Sequence, residues 1–204
     1  MKFSTLIFDL GNVTLTNDYP FHTPEEIAQF CKYFDITFEN AMKGWETAWP
    51  QFRIGKVTED NFWKKFLQSA GARVIDRGYA KKFWRDHQRP IENMLSLLYK
   101  LRQKYMLASL TTISKEWLVY KRKKFHLDTL FPIIVSSGQY GVVKPDPKIY
   151  NILLQRINVA PSACLFIDDM EYAIPPAKAL GIKTVLFKGQ KDLENNLKKY
   201  RVLS

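Results

Sequence analysis

Thr5-Leu6-Ile7-Phe8-Asp9-Leu10-Gly11-Asn12-Val13 decides the fold of this 204-residue chain. Four apolar or β-favouring residues run straight into an aspartate and a Gly-Asn turn. That is the signature of a buried strand whose C-terminal end presents a carboxylate. Asp9 interrupts the N-terminal apolar run too early for a secretory core segment, and no small-residue cleavage site follows it.

Working outward, four runs of the same kind recur: Met106 to Leu110, Ile133 to Val135, Ala163 to Ile167 and Thr184 to Phe187. Helical patterns separate them. Pro90 is expected to open the helix holding Met94, Leu97, Leu98 and Leu101. Ser114 should cap the next, and Asp146 followed by Pro147 the one after. Strands alternating with helices imply an α/β fold: a doubly wound, Rossmann-like parallel sheet covered on both faces.

The alternation breaks once. From Asn17 to about Arg89 the pattern is helical only, with a capping box at Thr23-Pro24-Glu25-Glu26 and a second cap at Thr58 before a helix that stops at Gly71. Trp45, Trp49, Phe52, Phe62, Trp63 and Phe66 are expected to form a separate apolar core there. The organisation read from sequence is thus a core domain of residues 1–16 and 90–204 with an inserted helical cap of residues 17–89. The insertion point places the cap over the strand end that carries Asp9.

Composition narrows the class. With 46% hydrophobic and 25% charged residues the chain reads as an ordinary globular protein, and every apolar run is far shorter than a bilayer span. The two cysteines, Cys31 and Cys164, offer neither a disulfide framework nor zinc spacing. A cytoplasmic protein is expected. The net charge of +11 is compatible with nucleic acid or with small anions. Its lysines and arginines are scattered (Lys64-Lys65, Lys81-Lys82, Lys121 to Lys124, Lys198-Lys199-Arg201), and no aromatic-basic RNA motif gathers them. Solvated helix faces are the favoured reading, and a nucleic-acid partner is not expected.

In a doubly wound sheet, ligands bind beyond the carboxyl ends of the strands. Asp9, Thr111 and the pair Asp168-Asp169 stand at those ends, and Lys144 lies in the loop after the third strand. Singly, each has an ordinary reading as a turn, cap or loop residue. Together, three carboxylates at one crevice would repel by ~4 kcal/mol per close pair at 4 Å and an effective dielectric of 20. A lysine and a divalent cation would remove that cost, and an all-oxygen ligand set favours Mg²⁺ over zinc. The three histidines, His22, His87 and His126, show no metal spacing, although His22 begins the cap and could face the site. Trp45, Arg53 and Lys56 are candidates for cap contacts with substrate.

Phe8-Asp9-Leu10-Gly11-Asn12-Val13, Leu110-Thr111-Thr112, Lys144-Pro145-Asp146-Pro147 and Phe166-Ile167-Asp168-Asp169 resemble, in order and spacing, the four motifs of the haloacid dehalogenase superfamily. The insertion resembles the small cap of one large branch, which includes sugar-phosphate phosphatases with an Asp-Leu-Gly-Asn-Val first motif. The resemblance implies a Mg²⁺-dependent phosphatase acting on a small phosphorylated metabolite. Asp9 would be the nucleophile and Lys144 its charge partner. Thr111 and the amide of Thr112 would hold phosphate oxygens. Asp9, the carbonyl of Gly11 and Asp169 would hold the metal, with Asp168 alongside. Two other readings stand beside it, a 2-haloacid dehalogenase and a non-catalytic binding protein of the same fold. The acidic pair argues against the first.

The chain departs from the pattern in three places. Gly11 stands where most phosphatases of the superfamily carry a second aspartate as general acid and base, a function typically worth ~10²–10⁴-fold in rate. Ala173 and Pro175-Pro176 replace an Asn and a Gly near the fourth motif, and Thr112 stands where many relatives have Asn. Rates are therefore expected to depend strongly on leaving-group pKa unless the cap donates a proton.

Overall fold

A computed structural model describes residues 3–203. Its centre is one five-stranded parallel sheet: β1 (Thr5–Phe8), β2 (Met106–Thr111), β3 (Ile133–Ser136), β4 (Cys164–Asp168) and β5 (Lys183–Leu186), in spatial order β3-β2-β1-β4-β5. The chain winds to one side of β1 through β2 and β3, then crosses to the other through β4 and β5. The doubly wound sheet expected from the sequence is what forms, and its switch point lies between β1 and β4.

Alternation along the strands divides the core. Leu6, Phe8, Leu107, Leu165 and Ile167 pack on one face. Ile7, Ala108, Leu110 and Phe166 pack on the other, against Ile149, Tyr150 and Leu153.

Among the described residues, ten α-helical segments surround the sheet. Four lie within the insertion that follows β1: α1 (Pro24–Phe34), α2 (Phe38–Phe52), α3 (Glu59–Ser69) and α4 (Arg77–Asp86). The others are α5 (Met94–Leu101), α6 (Lys115–Phe125), α7 (Ser137–Tyr140), α8 (Pro147–Ile157), α9 (Ile174–Ala179) and α10 (Gln190–Lys199). Among the described residues no helix is long and apolar enough to cross a membrane.

Thr58, Ser114 and Asp146 cap their helices as read from the sequence, each side chain accepting from a first-turn amide. One helix start and one half of a capping box differ from the sequence reading, while α1 does begin at Pro24 behind its Thr23 cap. Pro90 opens no helix: it bridges antiparallel to Leu15, and α5 begins at Met94 behind a left-handed Asn93. The box at Thr23 closes only halfway. Thr23 accepts from the Glu26 amide, but Glu26 reaches back to His22 N at 2.6 Å instead of to Thr23, because Arg89 holds its other oxygen at 2.8 Å.

The chain leaves the sheet and returns side by side. Thr16 N donates to Arg89 O at 2.8 Å, and Ile91 N to Thr14 O at 3.1 Å. The expected separate aromatic core of the insertion does not exist. Its side chains are continuous with the Leu6–Phe8 face of the sheet, and the reason is Trp117 on α6. That ring stacks on Trp84 (centroids 4.0 Å apart) and meets Phe52 and Phe62 edge-on at 4.9 and 5.2 Å. Its Nε1 donates to the buried Glu59 at 2.9 Å, which Arg85 also holds at 2.9 Å.

Candidate active site

The fold brings the motif residues together at the switch point. β1 delivers Asp9, whose amide donates to Ile167 O on β4 at 3.0 Å. Its backbone carbonyl accepts from Thr14 Oγ1 at 2.8 Å, and its Oδ1 from the Leu10 amide at 2.8 Å. One carboxylate oxygen is thereby fixed. The other, Oδ2, lies 3.2 Å from Lys144 Nζ.

Asp168 closes β4 and is fully buried. Its Oδ1 accepts from the Met170 amide at 2.9 Å, and its Oδ2 lies 2.5 Å from Lys144 Nζ. Asp169 is tied to the β1 loop through Asn12 Nδ2, at 3.1 Å from its Oδ2. Asp9, Asp168 and Asp169 each offer an oxygen, and these three atoms lie within 4.8 Å of one another.

Three carboxylates share one buried lysine, and the electrostatics show the surplus. Burial would lower the Lys144 ammonium pKa, but Asp9 and Asp168 outweigh it and hold Lys144 charged above its ordinary range. Burial, with Asp9 adding to it, pushes Asp168 up to about 7 against the pull of Lys144. Asp169 is raised for the same two reasons. A hard divalent cation is the group this donor set fits: its charge would neutralise the carboxylates that one lysine leaves in excess.

The walls of the crevice come from both parts of the chain. Gly11, Asn12, Thr112 and Met170 line it from the strand-end loops, Trp45, Trp49 and Arg53 from α2 and its C-terminal turn. Of the three proposed cap contacts, Trp45 and Arg53 lie there. Lys56 does not; it borders a separate cleft with Val57, Ser114 and Glu116. Thr111 is buried at the end of β2, one residue behind Thr112. Thr112 Oγ1 and Arg53 Nε are buried with no hydrogen-bond partner among the described residues, so both remain available to a ligand. His22 stays out of the crevice, half-buried beside Gln88. Cys164 is a buried free thiol, as expected.

Asn12, Asn17, Asp18, Tyr19, Trp49 and Tyr172 also line the crevice, and Thr14 holds the Asp9 carbonyl, roles that the sequence alone does not assign. Asp18, adjoining the first motif, was the visible signal among them. Its partner Lys121 belongs to a basic run expected to be solvated, yet it is completely buried, 2.7 Å from Asp18 Oδ1.

A profile described as haloacid dehalogenase-like hydrolase matches residues 7–187. Among curated proteins, a mouse protein, acyl-CoA dehydrogenase family member 10, is 24% identical over 197 residues, covering 90% of this chain and 18% of its own length. A glyceraldehyde 3-phosphate phosphatase from Pyrococcus furiosus is 35% identical over 105 residues, covering 50% of this chain and 43% of its own. The chain thus spans less than half the length of these relatives. Among solved structures, a HAD family enzyme from Bacteroides thetaiotaomicron in complex with magnesium and inorganic phosphate superposes with a TM-score of 0.76. It is 24% identical and covers 91% of this chain and 94% of its own. An L-2-haloacid dehalogenase superposes with a TM-score of 0.65 at 20% identity, covering 89% of this chain and 83% of its own.

The chain belongs to the haloacid dehalogenase-like hydrolases.

Proposed function

We propose that this haloacid dehalogenase-like hydrolase is a Mg²⁺-dependent phosphatase of small phosphorylated metabolites, sugar phosphates among them. The observation that carries the reading is the surplus of three mutually close carboxylates over one buried lysine at the switch point. The Pyrococcus phosphatase and the magnesium–phosphate complex of the Bacteroides enzyme support it from the side of relatives.

Asp9, the Gly11 carbonyl and Asp169 would hold Mg²⁺, with Asp168 alongside. When bound, the metal supplies charge neutralisation for a phosphate approaching a carboxylate. Asp9 Oδ2 attacks phosphorus as the phosphorus–oxygen bond to the leaving alcohol breaks, forming an aspartyl-phosphate; water then bonds to phosphorus, breaks its bond to Asp9 and releases phosphate. The amide donor on Oδ1 keeps the carboxylate from turning away. Lys144 stabilises charge on Asp9 and the phosphoryl group. Thr111 and the amide of Thr112 hold phosphate oxygens.

Residues 17–89 act as the cap, a division supported by the paired exit and return at Thr16 and Arg89. Two free cysteines fit the cytoplasmic location expected from the sequence. A dehalogenase reading is disfavoured by the acidic pair held within reach of Asp9.

The test is a screen of phosphorylated metabolites with and without Mg²⁺, comparing the wild type with Asp9→Asn. Turnover confined to the wild type with Mg²⁺ is expected. Turnover that survives chelation, or persists in Asp9→Asn, would overturn the mechanism.

A further inference from the structure

Gly11 leaves the first motif without a side chain to protonate the leaving group, yet another carboxyl is near. A Cβ built on Gly11 would have Asn17 Cα as its neighbour at 3.7 Å. The chain therefore doubles back past the place where relatives carry their acid, and the next residue, Asp18, lines the crevice together with Asp9. Asp18 is held in a defined pose. Lys121 Nζ donates to its Oδ1 at 2.7 Å and to Thr16 O at 3.2 Å, and Trp84 Nε1 donates to the Asp18 carbonyl at 3.0 Å. Its second carboxyl oxygen makes no hydrogen bond among the described residues.

We propose that Asp18 is the general acid and base of this site, replacing the aspartate that Gly11 lacks; the proposal rests on the phosphatase reading above. In the first half-reaction the Asp9–phosphorus bond forms and the phosphorus–oxygen bond to the leaving group breaks. The departing oxygen takes the Asp18 carboxyl proton. In the second half, the Asp18 carboxylate takes a proton from water as that water's oxygen bonds to phosphorus. The phosphorus–Asp9 bond then breaks, releasing phosphate and restoring both residues.

The environment suits a group that must hold a proton for part of the cycle. Burial pushes the Asp18 carboxyl above its usual range, Lys121 opposes this by charge and by its hydrogen bond, and Asp9 adds to the rise. The competing reading is structural: Asp18 and Lys121 would only clamp the start of the insertion to α6.

Leaving-group dependence separates the two, measured as kcat/KM with Mg²⁺ over alkyl and aryl phosphates under conditions where chemistry limits the rate. The wild type is expected to depend only weakly on leaving-group pKa. Asp18→Asn, which keeps shape and an acceptor for Lys121, is expected to lose ~10²–10⁴-fold on alkyl phosphates and little on p-nitrophenyl phosphate, whose leaving group needs no proton. Asp18→Asn combined with Gly11→Asp is expected to recover alkyl phosphate turnover. Equal losses on both ester classes, no loss on either, or a steep wild-type dependence would overturn the proposal, and the last requires no variant to fold. Failure of the wild type to hydrolyse any ester with Mg²⁺ would instead remove the phosphatase reading, and this proposal with it.

Discussion

Lys144 and Lys121 are both buried and both paired with aspartates near one crevice, yet they balance charge differently. Lys144 serves two carboxylates, at 3.2 and 2.5 Å, with Asp169 close behind. Lys121 serves one, at 2.7 Å, and spends another donor on a backbone carbonyl. The first cluster is left negative and calls for a cation. The second holds no carboxyl in excess of its lysine. A surplus of carboxylates marks where a metal belongs, and a carboxyl matched by its own lysine marks a pair that the fold can keep without one.

The sharpest way to break this contrast is to remove each ammonium. Lys121→Met should cost ~3–5 kcal/mol of stability, the usual consequence of stranding a buried charge, and Mg²⁺ should not restore it. Denaturant unfolding with and without Mg²⁺ checks this. Lys144→Met should also destabilise, but here Mg²⁺ should recover much of the loss, because a cation can stand in for the missing ammonium among the carboxylates. Its kcat should fall ~10²–10³-fold. Equal responses of the two variants to Mg²⁺ would erase the distinction.

A smaller effect contrasts two basic residues of the insertion. Arg53→Ala should raise KM about tenfold, within the range of one hydrogen bond to a charged ligand group. Lys56→Ala, in its separate cleft, should leave KM within about twofold.

A pH-dependent effect lies outside the crevice. Burial pushes His22 down to about 4, with Glu26 opposing, whereas an unfolded histidine titrates near 6.5. The folded state therefore holds fewer protons between these values. The His22 contribution is complete above about pH 6.5 and is lost as pH falls towards about 4. Unfolding midpoints across that window should decline less in His22→Gln than in the wild type.

How much was legible in the sequence follows from the same two lysines. Lys144 stands in Val143-Lys144-Pro145-Asp146-Pro147, a turn beyond a strand, where a lysine invites a functional reading. Lys121 stands in Lys121-Arg122-Lys123-Lys124 on a helix with weak amphipathic contrast, and its charged neighbours disguise the one that points inward. The strands were legible because a short buried run bounded by turn residues has few other readings. The start of α5 and the returning half of the Thr23 box were not, because Pro90 and Glu26 found tertiary partners that local sequence does not reveal. The aromatic residues of the insertion were read as a core of their own, since nothing local to them shows that Trp117, more than fifty residues further on, joins them to the sheet.

The central claim is that Asp9 becomes phosphorylated during turnover. It is tested most directly by mixing the Mg²⁺-loaded protein with a turned-over phosphate ester, quenching in acid, and mapping the phosphoryl adduct by peptide mass. One adduct is expected in the peptide carrying Phe8-Asp9-Leu10, absent in Asp9→Asn and absent without Mg²⁺. Turnover by Asp9→Asn at the wild-type rate, or an adduct on another residue, would contradict it.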